Sequence, residues 1–315
     1  MPSSQMMYNG GFWAERADGR GLGVGNEPDR GATVKRHQQK DAGKKSRRAH
    51  CIAFANHKGG TGKTTSCLSI AGYLAKSGSE VLVVDFDPQA NATSGLGIDR
   101  ATVRHSMYDA VLDQCDGQTG VPITQIILET DVKNLHVAPS EFDLAVAECS
   151  MLNSRNRTDI LNCALEKIRP FYDFILIDLP PTSGLLTING LCAADYAVVP
   201  VDPSIFSLET LEDLKKSFTD IRRLTGHSIH PIAAVLIRHV KANGRRPNAS
   251  TEVEASLREM FHPVFVVPAA EEIYQTQKEG VPISHYAPRS GVGRAYEKIA
   301  QSIRRNAKTT TAKKL

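Results

Sequence analysis

A run of eight glycine, lysine and threonine residues, KGGTGKTT at 58–65, constrains the fold of this chain more than any other feature. It follows an apolar stretch at 51–55 that predicts a buried strand, and it leads into a helical pattern that ends before Gly78. A glycine-rich turn between strand and helix directs backbone N–H groups and a helix N-terminus at one point, which is a phosphate-binding geometry. The predicted phosphate site comprises Gly59, Gly60, Thr61, Gly62, Lys63, Thr64 and Thr65.

The loop departs from the common Gly-x-x-x-x-Gly-Lys-Ser/Thr pattern at its first position. His57 stands where that pattern has its leading glycine, and a second lysine, Lys58, follows it. Two lysines on one phosphate loop define the deviant Walker A form of the motif. In such a loop Lys63 would reach the β- and γ-phosphates, and the Thr64 hydroxyl would ligate Mg²⁺. The cofactors predicted from the loop are therefore ATP and Mg²⁺.

Strand and helix patterns alternate along the chain from residue 50. Several strand patterns are continuous Val/Ile/Leu/Ala runs, as expected for strands that are covered on both faces. The alternation predicts an α/β fold with a doubly wound, mostly parallel sheet flanked by helices, whose ligands bind at the carboxyl ends of the strands. The predicted strands are 51–56, 81–86, 135–138, 173–178, 196–201, 232–238 and 264–267. The predicted helices are 64–77, 141–150, 157–168, 207–224, 249–260, 270–279 and 291–306.

Acidic residues lie at the ends of two of these strands. The strand at 81–86 ends in Asp85-Phe86-Asp87, which places two carboxylates on one side of the chain, and the strand at 173–178 ends in Asp178. An apolar strand that ends in aspartate is the Walker B pattern, so Asp178 would hold Mg²⁺. Beside a phosphate loop the Asp-x-Asp pair suits metal coordination and water orientation better than a plain turn.

The positive charge of the chain is concentrated at its ends. Residues 1–50 hold ten Lys or Arg and five Asp or Glu, and 304–315 hold five basic residues and no acidic one, although the whole chain has a formal charge of only +4. We predict a disordered basic extension at 1–49, a P-loop ATPase domain at 50–306 and a basic C-terminal tail at 307–315. Basic ends can bind nucleic acid or anionic lipid, and the alternative is that they only improve solubility.

The sequence also predicts the compartment. No run approaches the ~20 apolar residues that span a bilayer, and the N-terminus has no apolar signal core. The six cysteines form no Cys-x-x-Cys pair and fall mostly in apolar stretches. Reduced core thiols are typical of a cytoplasmic protein.

Three segments together resemble the ParA/Soj branch of the ParA–MinD deviant Walker ATPases: KGGTGKTT at 58–65, DFDPQANATSGLG at 85–97 and ILIDLPPTSGLLTINGL at 175–191. The segment GVPISHYAPRSGVGRAY at 280–296 is also similar, so the resemblance covers about residues 50 to 305. It implies an ATPase that forms a nucleotide-sandwich homodimer on binding ATP. The dimer would bind DNA nonspecifically, associate with the nucleoid, and be released when a ParB-like partner stimulates hydrolysis. Such a cycle partitions DNA or positions another cargo.

Residue roles follow from the same resemblance. Lys58 matches the signature lysine, which reaches across the dimer to the partner's phosphates and neutralises charge there as an arginine finger does. Asp87 matches the carboxylate that positions the attacking water, and Asp85 would lie near the metal with Thr64 and Asp178. The predicted catalytic residues are Lys58, Lys63 and Asp87, and Pro268 is added to the nucleotide-binding loop residues.

The segment that Pro268 opens departs from the family pattern. Many relatives have a Pro-Arg-Asn-x-Arg run there, whereas this chain has Ala269 and Glu272 at the basic positions and a further acidic residue at Glu271. Relatives also tend to carry an arginine near Asn243. We therefore place the predicted DNA contacts on a basic patch around the loop at 239–247, for which a solvated loop is the alternative. The patch consists of Arg238, Lys241, Arg245 and Arg246.

One alternative is a MinD-like, membrane-associated positioning ATPase. Its membrane contact would be the last predicted helix, where Val292, Tyr296, Ile299 and Ile303 form a narrow apolar stripe. Membrane-surface helices usually carry bulkier Phe, Leu or Trp. The sequence therefore favours docking of this helix on the body of the protein, and we expect no stable membrane association.

Two further alternatives are a metabolic P-loop enzyme and a scaffold without catalysis. A nitrogenase-reductase-like enzyme needs cysteines for an iron–sulfur cluster, and Leu179 stands where one of them might follow the Walker B strand. A cobyrinate-synthase-like enzyme stays open. The scaffold is disfavoured because the loop lysines, Thr64 and the strand-end aspartates are all present.

Overall fold

The structure of the chain is a computed structural model that describes residues 48–203, 208–238 and 248–313. Within these residues eight strands form one sheet. The strands are β1 (His50–Phe54), β2 (Val81–Asp85), β3 (Leu128–Glu129), β4 (Leu135–Ala138), β5 (Phe174–Asp178), β6 (Tyr196–Val201), β7 (His230–Arg238) and β8 (Val264–Pro268). The α-helices are α1 (Lys63–Lys76), α2 (Asn91–Gly95), α3 (Met107–Leu112), α4 (Ile123–Ile126), α5 (Leu144–Asn153), α6 (Ile160–Glu166), α7 (Leu185–Ala193), α8 (Leu208–Thr225), α9 (Asn248–Met260), α10 (Glu271–Glu279), α11 (Ile283–Tyr286) and α12 (Gly291–Lys313).

The strand order is β3-β4-β2-β5-β1-β6-β7-β8. Each pairing is parallel except that of β3, which runs antiparallel to β4. This confirms the predicted α/β fold with a mostly parallel sheet. The register pairs Asp178 with Phe54 on one side and with Asp85 on the other. The loops that follow β1, β2 and β5 therefore leave the sheet next to one another.

Both faces of the sheet are covered. Along β1 the side chains of Cys51 and Ala53 belong to one apolar cluster, and those of Ile52 and Phe54 belong to the other. The second cluster includes residues of α1, α11 and α12, whereas the first includes residues of α3, α5, α6, α7, α8 and α9. Burial on both faces explains why the central strands are apolar throughout instead of alternating with polar residues.

The short elements were not predicted. They are the two-residue β3 and the helices α2, α3, α4, α7 and α11, each of four to nine residues. Elements this short contain too few residues to show a periodic pattern of apolar residues in the sequence. The start of α3, however, is recognisable. The Ser106 hydroxyl accepts a hydrogen bond from the Tyr108 N–H at 3.0 Å, and the Asp109 carboxylate accepts one from the Ser106 N–H at 2.8 Å. This arrangement is a capping box.

The folded body extends further than predicted at both ends. Ala49 is buried, and its N–H donates to the Arg169 carbonyl at 3.2 Å, so the body includes residues that we assigned to the extension. Residues 1–47 of the predicted extension lie outside the described residues. Helix α12 continues to Lys313, and Ala307 is buried, so most of the predicted tail at 307–315 continues this helix.

The apolar stripe of the last helix packs on the body, as predicted. Val292, Tyr296, Ile299 and Ile303 are each at most 2% exposed and belong to the cluster on the α1 side of the sheet. In the parts of the chain that the structure describes, no helix combines the length and the apolar character needed to cross a membrane.

Candidate nucleotide-binding site

The loop between β1 and α1 depends on glycines for its backbone shape. Gly60 and Gly62 have φ angles of 74° and 79°, in the left-handed region that side chains disfavour. A Cβ atom at Gly62 would also clash with Cδ1 of Ile237 on β7. Helix α1 begins at the next residue, Lys63. The first N–H groups of a helix have no acceptor within the helix, so those of α1 lie at the end of the loop. Local backbone and neighbouring strand together explain the glycine at this position.

A cavity of about 600 Å³ opens in front of the loop. Small-molecule sites commonly measure ~300–1,000 Å³. The walls come from the phosphate loop, from the segment after β2 and from the region of α10 and α11. The loop residues lining it are Gly59, Gly60, Thr61, Gly62, Lys63, Thr64 and Thr65, and those of the other two walls include Asp87, Gln89, Asn91, Ser94, Thr276, Gln277 and Pro282. All seven predicted loop residues therefore line one cavity of nucleotide size.

The Lys63 ammonium lies inside this loop. Its side chain is largely buried, and Nζ donates a hydrogen bond to the Lys58 carbonyl at 3.0 Å. Burial lowers the pKa of Lys63, and the charges of Asp178 and Asp87 partly oppose that shift. A phosphate oxygen in the cavity would be a stronger acceptor for this ammonium than a neutral carbonyl.

Thr64 and Asp178 form the second polar feature of the site. The Thr64 hydroxyl donates to Asp178 Oδ2 at 2.6 Å. Asp178 is fully buried, and its Oδ1 atom has no hydrogen-bond partner. Burial raises the pKa of Asp178 well above its usual range, and the neighbouring Asp85 raises it further. A buried carboxylate oxygen without a partner, next to a hydroxyl, fits the oxygen ligands that Mg²⁺ prefers.

Asp87 is the acidic residue that faces the cavity. Its side chain lines the wall but is only 6% exposed, and Oδ1 accepts a hydrogen bond from the Gln89 N–H at 3.0 Å. The carboxylate is thereby held in one orientation at the cavity wall. The role of orienting a water molecule stays a prediction for this residue.

Asp85 does not have the geometry that we predicted for it. It is fully buried beneath the cavity wall, and Oδ2 accepts hydrogen bonds from both the N–H and the hydroxyl of Thr93 at 2.7 Å. Oδ1 faces the Asp87 N–H at 3.3 Å. Burial raises the pKa of Asp85 to about 6, against the opposing effect of the Thr93 bonds. Both oxygens accept hydrogen bonds from protein donors, which fits an internal anchor better than the metal ligand predicted for this residue.

Besides the buried Asp85 and Asp178, two other predicted residues lie outside the cavity lining. The Lys58 N–H donates to Asn56 Oδ1 at 3.0 Å, and Asn56 Nδ2 in turn donates to the Pro200 carbonyl at 2.8 Å, which anchors the head of the loop to the end of β6. Pro268 ends β8 and is not among the lining residues. The residues of α10 line this side of the cavity, and binding of the nucleotide by Pro268 stays a prediction.

The residues of the α10 wall were missed because they are remote in sequence. Thr276 and Gln277 lie more than 200 positions after the loop, yet Gln277 Nε2 donates to the Thr65 hydroxyl at 3.4 Å. This wall is brought close by Gly97 and Gly280, whose backbones touch. Asn91 and Gln89 could have been found, since they belong to the DPQAN segment that carries the family resemblance.

The predicted DNA patch cannot be placed as a unit. Lys241, Arg245 and Arg246 lie outside the described residues, and Arg238 is the last residue of β7. The acidic residues Glu271 and Glu272 occupy the first turn of α10, where the helix dipole stabilises negative charge.

Fold and site define a class of protein. A glycine-rich loop between the first strand and helix of a parallel sheet, a buried loop lysine and a strand-end aspartate beside a helix hydroxyl are the parts of a P-loop nucleotide-binding protein.

Comparison with known proteins narrows that class. An AAA domain family model matches residues 49–230. The sporulation initiation inhibitor protein Soj of Bacillus subtilis is 36% identical over 258 residues, covering 81% of this chain and 98% of that protein. The chromosome partitioning protein ParA of Caulobacter vibrioides is 30% identical over 254 residues, covering 80% and 92%. The chain belongs to the ParA/Soj family of partition ATPases.

A solved structure supports the same fold. It is the cobyrinic acid a,c-diamide synthase of Mycobacterium smegmatis with a bound ATP analogue and magnesium, which superimposes with a TM-score of 0.69 at 28% identity, over 82% of this chain and 94% of that one.

Proposed function

We propose that this chain hydrolyses ATP with Mg²⁺ and uses the cycle as a dimerisation switch that partitions DNA or positions another cargo. The observation that carries the proposal is the nucleotide-sized cavity, which is lined by Lys63, Thr64 and Asp87, with the buried Asp178 hydrogen-bonded to the Thr64 hydroxyl. Family membership supports a partition ATPase, and the solved relative contains an ATP analogue and magnesium.

Each polar group has a distinct task. The backbone N–H groups at the start of α1 and the Lys63 ammonium bind the phosphates. Thr64 and Asp178 hold Mg²⁺, which neutralises phosphate charge when bound. Asp87 orients the attacking water from the cavity wall. Phosphoryl transfer needs mainly positioning and charge stabilisation from the protein, and these groups supply both.

Lys58 completes the site only in a homodimer. Its carbonyl is the acceptor for Lys63 in its own loop, and its side chain is not part of the cavity lining. A second lysine at the head of the loop therefore suits the phosphates of a partner copy. We infer that ATP brings two copies together and that Lys58 supplies the cross-subunit cation.

The first test is ATP hydrolysis by the full chain. We expect slow release of phosphate that requires Mg²⁺ and is lost in Lys63→Ala, because a timed switch must wait for its stimulus. Exposed Lys298 on α12 offers a matched control, Lys298→Ala. Absence of Mg²⁺-dependent hydrolysis with and without a ParB-like partner and DNA would contradict the proposal.

A second candidate is an amide-forming enzyme, because the solved relative named above is a cobyrinic acid a,c-diamide synthase. Such an enzyme would consume ATP only when its acid and nitrogen donor are present. Hydrolysis that is independent of those substrates favours the switch, whereas hydrolysis that depends on them favours synthesis.

For the cargo side of the cycle, we propose that the cytoplasmic ATP-bound dimer binds DNA nonspecifically, through Arg238, Lys241, Arg245, Arg246 and the basic ends, and thereby associates with the nucleoid. A ParB-like partner would stimulate hydrolysis and release it. The acidic first turn of α10, with Glu271 and Glu272, repels phosphate, which argues against that face.

A salt titration of DNA affinity tests this part. Binding by phosphate contacts falls steeply with salt, and each lost contact makes the slope of log K against log salt shallower by about one unit. We expect Arg245→Ala/Arg246→Ala to show such a change. If the Arg245→Ala/Arg246→Ala variant binds DNA like wild type, and removal of residues 1–47 abolishes binding, the extension and not the patch is the DNA-binding element.

A further inference from the structure

We propose that Asp85 is a positioning residue which, together with Thr93, fixes the cavity segment from Asp87 to Gly95. This inference rests on the proposed function, since the segment carries the water-orienting carboxylate. It assigns to the first aspartate of the Asp-x-Asp pair a role that differs from metal binding.

Protein donors contact both carboxylate oxygens of Asp85. The residue ends β2, is 0% exposed and lies beside Asp178 in the sheet register. Three hydrogen-bond donors converge on it, two from Thr93 at 2.7 Å and one from the Asp87 N–H at 3.3 Å. Among the described residues Asp178, by contrast, retains a buried oxygen without a partner. The two neighbouring carboxylates therefore have different tasks.

Thr93 extends the connection to another strand. Its hydroxyl donates to Asp85 Oδ2 and accepts a hydrogen bond from the Ser140 N–H at 2.9 Å, so both of its polar functions are used. Ser140 follows β4, the neighbour of β2 in the sheet. Thr93 is fully buried, and it ties α2 to the ends of two adjacent strands. The short helix α2 has little stability of its own, so these bonds determine its position.

Asp85 is connected to Asp87 as well as to Thr93. Asp85 contacts the backbone N–H of Asp87, and the Asp87 carboxylate contacts the Gln89 N–H. Beyond these residues Asn91, Ser94 and Gly95 line the cavity. One buried carboxylate thus anchors the wall from which water is oriented. A shift of ~1 Å in a catalytic group costs about a hundredfold in rate.

Three variants separate the contacts. Asp85→Asn keeps one oxygen for Thr93 but turns an amide NH₂ toward the Asp87 N–H. Thr93→Val removes the hydroxyl at nearly constant shape, and Thr93→Ser restores it. Exposed residues supply controls: Asp99→Asn, since Asp99 caps a turn through the Ala101 N–H, and Thr102→Val, since Thr102 donates to the Asp99 carbonyl.

Two measurements on the full chain decide the role. We expect Asp85→Asn and Thr93→Val to lower kcat by about a hundredfold, with Thr93→Ser and both controls near wild type. Binding of Mn²⁺ together with a non-hydrolysable ATP analogue, followed by electron paramagnetic resonance, should be unchanged in Asp85→Asn and weakened in Asp178→Asn.

The outcomes are distinct. Loss of Mn²⁺ binding in Asp85→Asn to the extent seen in Asp178→Asn would make Asp85 a metal ligand and overturn the proposal. A wild-type kcat in Thr93→Val would also overturn it, because the anchor would then have no effect on the reaction. If wild-type protein does not hydrolyse ATP, the proposed function fails separately. Amide hydrogen exchange in Asp85→Asn and in wild type is then compared. Faster exchange of the Asp87 N–H in the variant, with unchanged exchange at Thr93, supports the anchor. Equal exchange of the Asp87 N–H in the two proteins contradicts it.

Discussion

The hydroxyl of Thr64 and the carboxylate of Asp178 lie 2.6 Å apart, although 114 positions separate them in sequence. The bond joins the first turn of α1 to the end of β5, because β5 lies beside β1 in the sheet. It leaves the other carboxylate oxygen of Asp178 buried without a partner. This pair is the structural basis for the proposed magnesium site.

The metal site can be tested at Thr64. Thr64→Val removes the hydroxyl while keeping the shape of the side chain, and Thr64→Ser retains it. We expect Thr64→Val to weaken Mg²⁺-dependent nucleotide binding by at least about tenfold, since loss of a group that holds or orients a metal has effects of that size. Calorimetric titration with and without Mg²⁺ measures this. Equal Mg²⁺ dependence in the two variants would argue against a ligand role for Thr64.

Nucleotide affinity should depend on Lys63. A hydrogen bond from a charged donor contributes about 1.5–3 kcal/mol, so Lys63→Ala should weaken binding of an ATP analogue by roughly ten- to a hundredfold. Lys298→Ala, on the exposed face of α12, is the control for loss of a charge. Unchanged affinity in Lys63→Ala would mean that the phosphates bind elsewhere.

The phosphate loop was predictable because its information is local. Glycines with positive φ, Lys63 and the start of the following helix all fall within eight consecutive positions. The α10 wall was not predictable, since no local pattern near Thr276 indicates that it will face the loop. Packing of the whole chain, including the close contact of Gly97 with Gly280, brings that wall into place.

Asp85 shows a different limit of sequence reasoning. The family resemblance placed this residue near Asp178, where the sheet register also has it, but an Asp-x-Asp pair suits a metal site and an internal anchor equally well. Which of these it forms depends on where the Thr93 N–H and hydroxyl point. That orientation is set by the fold of α2, which is too short to leave a periodic signal.

The contact between Gly97 and Gly280 should be sensitive to a single methyl group. Both residues have positive φ, and a Cβ at Gly280 would lie 2.5 Å from the Gly97 Cα. Gly226 also has positive φ, but a Cβ there would meet nothing within 4 Å. We expect Gly280→Ala to cost about 1–3 kcal/mol more than Gly226→Ala in the free energy of unfolding, because overpacking adds to backbone strain. Equal losses by denaturant titration would show that the contact is loose.

Stability should depend on pH through Asp85. Its pKa is raised by burial from 3.8 to about 6, so between these values the folded state binds more protons than the unfolded state. By linkage this contribution to the free energy of unfolding falls as pH rises from 4 toward 6 and is lowest above 6. When the pH is lowered from 7 to 4, the free energy of unfolding of wild type should therefore rise relative to that of Asp85→Asn. The rise should be at most about 3 kcal/mol. A constant difference across this range would contradict the buried charge.

Nucleotide-dependent dimerisation is the most direct test of the central claim that this chain is an ATP-driven switch. The measurement is sedimentation velocity of the full chain with Mg-ATP or Mg-ADP. We predict that Asp87→Ala binds ATP without hydrolysing it, forms a stable dimer with Mg-ATP and is monomeric with Mg-ADP. We also predict that Lys58→Ala stays monomeric in both, whereas Lys298→Ala behaves as wild type. A dimer of Lys58→Ala that still hydrolyses ATP at the wild-type rate, or an Asp87→Ala protein that is monomeric with Mg-ATP, would contradict the account.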